Sequence, residues 1–172
     1  MGAGRVIEAV ADAGPLIHLA EIDCLFLLHL FERLCVPQAV WLETINRATE
    51  TRLLELGHIS RYTPTQAEVT RFVQDNGLQN LHSGECESLY LCRQINIPYI
   101  LTDDLAVREA AKRLKLTPIG SLGIVVKSYR NNLISLNQAE RYLLDLHDVS
   151  TLFVTRAIVE LAVEELHRQV KE

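Results

Sequence analysis

Short apolar runs alternate along the chain with longer stretches in which apolar residues recur at helical spacing. Residues 5–11 form the first run and predict a strand, closed by the turn-forming sequence Asp12-Ala13-Gly14-Pro15. Helices are expected over residues 16–20 and 24–31, with Pro15 suited to a first helical turn, where its missing N–H is not needed. Leu34-Cys35-Val36 reads as a short strand, and Pro37 opens a helix to about residue 47. A further helix takes in residues 53–56 and stops at Gly57; residues 59–63 suit an edge strand. Residues 65–74 read as a helix halted by Asn76-Gly77, and Ser83 is placed to cap a helix reaching Gln94. Tyr99-Ile100-Leu101 is a buried strand, residues 104–114 a helix, and Thr117-Pro118-Ile119 another short strand. The remainder predicts helices over about residues 122–130, 136–146 and 153–170. In the last, Val154, Ile158, Ala162, Leu166 and Val170 recur every fourth residue. Such a stripe more often packs on a core than meets a partner, but it would also suit a homo-oligomer or an inhibitor protein.

Strands alternating with helices predict an α/β fold, a central and mainly parallel sheet flanked by helices. No repeat, low-complexity segment or Pro/Gly/Ser linker divides the 172 residues. One domain over residues 1–172 is therefore expected, with the helices from about residue 136 extending the core or forming an interface. No apolar stretch approaches bilayer-crossing length, and Glu8 and Asp12 interrupt the run that follows Met1-Gly2-Ala3-Gly4-Arg5. Neither a membrane partner nor a secretory signal is read, and a cytoplasmic protein is expected. Cys24, Cys35, Cys86 and Cys92 form no C-x-x-C pair and sit among apolar residues, as buried thiols in a reducing compartment would. The histidines are dispersed, with no H-x-x-x-H pair to suggest zinc. A net charge of −5 argues against coating nucleic acid by charge alone, yet is compatible with cutting it through clustered carboxylates and bound metal.

The acidic residues therefore carry the chemical question. Asp12 directly follows the first strand, and in an open parallel sheet ligands gather beyond the carboxyl ends of strands. A helix cap or Asx-turn before Gly14-Pro15 is an equally good explanation of it. Glu43 falls three residues after Val40 and four after Ala39, on the same side of its expected helix, where a carboxylate is costly without a cation or hydrogen-bond partners. The bland alternative is a boundary residue whose head reaches water. Glu85 and Glu87 lie in the first turn of the Ser83 helix, where the helix dipole favours negative charge. Two apart, they cannot point the same way; Glu85 is the preferred candidate and Glu87 the alternate. Asp103 and Asp104 follow a strand, and two adjacent acids exceed what capping one helix needs. Carboxylates gathered together repel unless cations neutralise them, and hard oxygen donors without a Cys/His set point to Mg²⁺ or Mn²⁺.

The order of these motifs resembles a known family. Asp12-Ala13-Gly14-Pro15-Leu16-Ile17 is similar to the opening D-T-S-P-L-I of a VapC-like branch of the PIN domain family, and Val36-Pro37-Gln38-Ala39-Val40-Trp41-Leu42-Glu43 to its V-P-x-x-V-x-x-E. Gly84-Glu85-Cys86-Glu87-Ser88-Leu89 resembles G-E-x-E-A-I, Leu101-Thr102-Asp103-Asp104 resembles L-x-D-D, and Ile119-Gly120-Ser121-Leu122-Gly123 resembles I-G-T-L-G. The likeness covers roughly Val6 to Leu136 and implies a PIN-like three-layer sandwich. It implies a Mg²⁺- or Mn²⁺-dependent ribonuclease, with metal ligands at Asp12, Glu43, Glu85 and Asp104, Asp103 assisting, and an activated water attacking an RNA phosphodiester. RNA as substrate and an antitoxin protein as partner follow from the same likeness. One departure is Ala13-Gly14 where the family often has Thr-Ser; both hydroxyls are missing, which favours retained metal binding over retained activity.

Arg108, Lys112, Arg113 and Lys115 could meet RNA phosphates, although a solvated helical face explains them more simply, and Trp41 reads as packing. Two other functions compete with the nuclease. A catalytically degenerate PIN-like module that binds RNA or protein would explain Ala13-Gly14. A receiver or haloacid-dehalogenase-like phosphatase ranks last, because the first strand ends in a single acid and no glycine-rich phosphate loop is present.

Overall fold

The protein is described by a computed structural model over residues 8–45 and 47–170. Its strands are β1 (Glu8–Ala11), β2 (Arg33–Pro37), β3 (Ile59–Tyr62), β4 (Tyr99–Leu101) and β5 (Thr117–Ile119). They form one sheet in the order β3-β2-β1-β4-β5, every pairing parallel. Of the strand expected over residues 5–11, residues 5–7 lie outside the described residues. The strands read as near-continuous apolar runs because both faces of the sheet are covered.

Side chains alternate across the sheet. Ala9, Ala11, Leu34, Val36, Leu101 and Ile119 join one core, whereas Val10, Cys35 and Ile100 join the other. The first core receives α1 (Ala13–Glu21), the 3-10 helix Leu25–Leu30, Val40 and Trp41 of α2 (Gln38–Thr44), and Leu53 of α3 (Arg47–Glu55). Against it also pack α7 (Ser121–Arg130), α8 (Leu136–Asp148) and α9 (Arg156–Val170). The second core receives α4 (Gln66–Asn76), α5 (Ser83–Gln94) and α6 (Leu105–Arg113). The result is the expected three-layer α/β sandwich, with a sheet that is parallel throughout. Among the described residues no helix is long and apolar enough to cross a membrane.

Several element boundaries differ from the sequence expectation, each for a local reason. The helix opened by Pro37 ends at Thr44, whose hydroxyl turns back onto the Val40 carbonyl at 2.7 Å, and Arg47 begins a new helix. Ser83 is the first residue of α5 and not its cap, and His82 precedes it. The last helix starts at Arg156 because the Thr155 hydroxyl accepts the Ile158 N–H at 3.3 Å, leaving Phe153 and Val154 outside. Of the expected stripe, Leu166 is buried and Val154 and Ala162 pack against the core, whereas Ile158 is half exposed and its neighbour Val159 is buried instead; the side chain of Val170 lies outside the described part.

Candidate active site

The pairing of β1 with β4 sets Ala11 beside Leu101, so the residues that leave the two strands emerge together. The Asp12 N–H donates to the Leu101 carbonyl at 2.9 Å, extending that pairing by one residue. Asp12 then caps α1, its Oδ1 accepting the Ala13 N–H at 2.9 Å. Its other oxygen, Oδ2, accepts the hydroxyl of the fully buried Thr102 at 3.1 Å. Thr102 Oγ1 in turn accepts the Asp104 N–H at 3.3 Å, and Asp104 Oδ1 caps α6 by accepting the Val107 N–H at 2.9 Å. A single threonine thus links the acid at the end of β1 to the acid after β4.

Two more carboxylates reach this strand edge from helices. Glu43 stands in the last turn of α2 and is exposed, not core-facing as its spacing from Val40 suggested. Its Oε2 lies only 3.1 Å from where a Cβ on Gly84 would be, so the absence of a side chain at Gly84 lets α2 and α5 approach there. Glu85 follows at once in α5, its Oε2 accepting the His82 N–H at 2.8 Å. Glu87 points elsewhere: it is buried, with Oε2 accepting the Ala39 N–H and Oε1 accepting Gln66 Nε2, each at 2.9 Å. Of the two neighbouring acids, Glu85 lines the cleft and Glu87 holds α2 and α4 in place.

Asp12, Glu43, Glu85, Asp103 and Asp104 all line one open cleft of about 330 Å³. Within it, Asp103 is, like Asp12, engaged through both of its oxygens. Oδ1 accepts the Ser121 N–H at 2.7 Å, and Oδ2 accepts the Ser121 hydroxyl at 2.6 Å and His18 Nδ1–H at 2.7 Å. A carboxylate only accepts, so it is Nδ1 that carries the proton. Asp103 therefore fastens α1 and α7 to the end of β4. Neither His18 nor Ser121 was singled out from sequence. The spacing of Gly14 and His18, one helical turn apart on the face that meets the cleft, is the signal that could have found His18.

The electrostatics follow from burial. Asp12 is only 6% exposed, and removal from water pushes its carboxyl up to about 6. The Ala13 and Thr102 hydrogen bonds oppose that rise, and the nearby charges of Glu85 and Glu43 add to it. Such a group is one that a cation would return to its charged form. Among the described residues, Glu43 has no hydrogen-bond partner, and Glu85 Oε1 and Asp104 Oδ2 are likewise open. No three His, Cys, Asp or Glu side chains among the described residues stand close enough to cage an ion. The donor chemistry nevertheless fits a hard divalent cation, since Mg²⁺ keeps much of its water and needs only one or two direct carboxylates. Asp12, Glu43, Glu85 and Asp104 are the residues that would hold it.

Cys24, Cys35, Cys86 and Cys92 are buried free thiols. Trp41 is buried beneath the Arg61 guanidinium, 4.4 Å from the ring centre, and so packs. Arg108 is half-buried with Nη1 donating to the Thr102 carbonyl at 3.2 Å, whereas Lys112, Arg113 and Lys115 are exposed.

No curated protein sequence matches the chain. A family model described as PIN domain matches it over residues 8–168, from the first strand to near the end of α9. With every strand and the whole acidic cleft inside that match, the chain belongs to the PIN-domain family, whose members are generally nucleases that use divalent metal ions.

Proposed function

We propose that the protein is a Mg²⁺- or Mn²⁺-dependent endoribonuclease of the VapC-like branch, a cytoplasmic toxin held in check by an antitoxin protein. The observation that carries this reading is the meeting of Asp12, Glu43, Glu85 and Asp104 in one cleft at the carboxyl ends of β1 and β4. A divalent ion bound there would activate water and offset the charge that develops on a phosphodiester. Asp12, held by Ala13 and Thr102, supplies a fixed and buried carboxylate; Glu43, Glu85 and Asp104 supply open oxygens around it. Asp103, held by His18 and Ser121, keeps the two flanking helices in register with the strand ends.

The second reading, a degenerate PIN-like module that binds without cutting, draws on Ala13-Gly14. Against it stands Ser121, which brings a hydroxyl to Asp103 from α7. A Cβ at Gly14 would lie at ordinary contact distance, 3.6 Å from Asp103 Cβ and 3.7 Å from its Oδ2, so the missing serine would have addressed the same carboxylate. The test is RNA cleavage by purified protein with Mg²⁺ or Mn²⁺. Cleavage is expected to vanish on chelation and to fall at least ~100-fold in Asp12→Asn and in Asp104→Asn. Full activity in both variants would remove these residues from the site, and binding without cleavage under every ion would favour the degenerate module.

A further inference from the structure

Between α8 and α9, Thr151, Leu152 and Phe153 line the acidic cleft. They are tied down at Thr151, whose N–H and hydroxyl donate to the two carboxylate oxygens of Glu21 at 3.1 and 2.6 Å. Two residues on, the Phe153 side chain is 100% exposed, while Leu152 and Val154 on either side are half-buried. An aromatic ring left wholly in water beside a reaction cleft gains nothing from the fold that carries it.

Beyond Phe153 lies a second groove of about 600 Å³, lined by Leu105, Pro118, Leu122, Leu152, Val154 and Ile158. It is continuous with the cleft, for Asp103, Leu152 and Phe153 border both. Asp103 is already engaged by Ser121 and His18, so the charges left to meet a ligand are both positive: Arg108 and Lys127. Arg108 is steadied by its bond to the Thr102 carbonyl, and the Lys127 ammonium has no partner among the described residues.

Resting on the nuclease reading above, the geometry points to this groove as the track of an unpaired RNA strand leaving the acidic cleft. Phe153 is its base-stacking platform, and Arg108 and Lys127 meet the flanking phosphates. Two features select an unpaired strand. The groove offers apolar and aromatic surface, which recognises the faces of bases, and a duplex hides those faces. The groove lining carries two cations, Arg108 and Lys127, few beside the row of phosphate contacts by which a duplex is gripped through charge. Both cations line the groove that shares Asp103, Leu152 and Phe153 with the acidic cleft.

The experiment measures binding apart from cleavage. The full chain in chelator is titrated into a short unstructured fluorescent RNA, and into the same RNA annealed to its complement, with anisotropy as the readout. Phe153→Ala is expected to weaken single-strand binding roughly tenfold, with recovery in Phe153→Trp and little change for the duplex. Lys127→Gln is expected to lower the salt dependence of binding by about one phosphate contact. Because Phe153 is fully exposed, its replacement leaves the fold intact. Single-strand binding that is absent in the wild type, or unchanged in Phe153→Ala, overturns the groove assignment. So does sedimentation showing a wild-type dimer that Phe153→Ala dissociates, which would make this face an interface between two copies. Failure of cleavage with every divalent ion, with Phe153-dependent binding intact, would instead overturn the nuclease reading and leave the groove standing.

Discussion

Asp12 is where the site and the stability of the fold oppose each other. Its carboxyl is raised from 3.8 to about 6 by burial, so in the metal-free protein the folded chain holds a proton that the unfolded chain releases. Stability therefore falls as pH rises from about 4 through about 6, and the loss persists at neutral pH, on the order of 3 kcal/mol. An asparagine amide in its place cannot ionise. Urea unfolding of metal-free Asp12→Asn is expected to lack this slope and to show higher stability than wild type at pH 7. Mg²⁺ or Mn²⁺ is expected to raise the thermal midpoint of the wild type at pH 7, and that of Asp12→Asn far less. An unaltered pH slope in the variant would remove Asp12 as its origin. The position of Asp12 after a strand was legible in the sequence. Its partnership with Thr102 was not, because 90 residues separate the two and only the β1–β4 pairing joins them.

Elements bring the scattered acids into range, and here a glycine decides the spacing. A methyl group on Gly84 would sit 3.1 Å from Glu43 Oε2 and 3.4 Å from Val40 Cγ2. Gly84→Ala is therefore expected to push the Glu43 head aside by a few tenths of an ångström while changing folding stability by less than about 1 kcal/mol. Cleavage is expected to drop roughly tenfold with the thermal midpoint nearly unchanged; equal rates in the two proteins would show that this contact does not position Glu43. Helix periodicity placed Glu43 on the right element but misjudged its exposure, since the pattern of Val40 and Ala39 says nothing about a neighbouring helix lacking a side chain. The same limit applies to α9. The apolar pattern runs on through Phe153 and Val154, and only the Thr155 cap shows that the helix has not yet begun.

At the scale of the whole molecule, the two cores lie on opposite faces of one sheet, and both contain cysteines. Cys24 belongs to the first; Cys35, Cys86 and Cys92 belong to the second. Burial raises all four thiols, Cys24 to about 12, so almost none is thiolate near neutral pH. Alkylation followed by mass spectrometry is expected to leave all four unmodified in the native protein and to label them together across the denaturant transition. Rapid labelling of one alone would reveal local opening of its core. The layered α/β architecture was readable because strand-length apolar runs and helical periods differ so plainly along the chain. The strand order was not, since strands of three to five residues carry too little pattern to identify their neighbours.

The tie between Thr151 and Glu21 bears on how wide the cleft can open. Glu21 is the last residue of α1, and Asp12 caps its first turn, so the floor of the cleft and the anchor of its rim are fixed to opposite ends of one nine-residue rod. That rod is about 13 Å long and does not stretch. The gauge of the opening is therefore built into the framework, and a bulky folded substrate can be admitted only by releasing Thr151 or tilting α1, which would carry Asp12 with it.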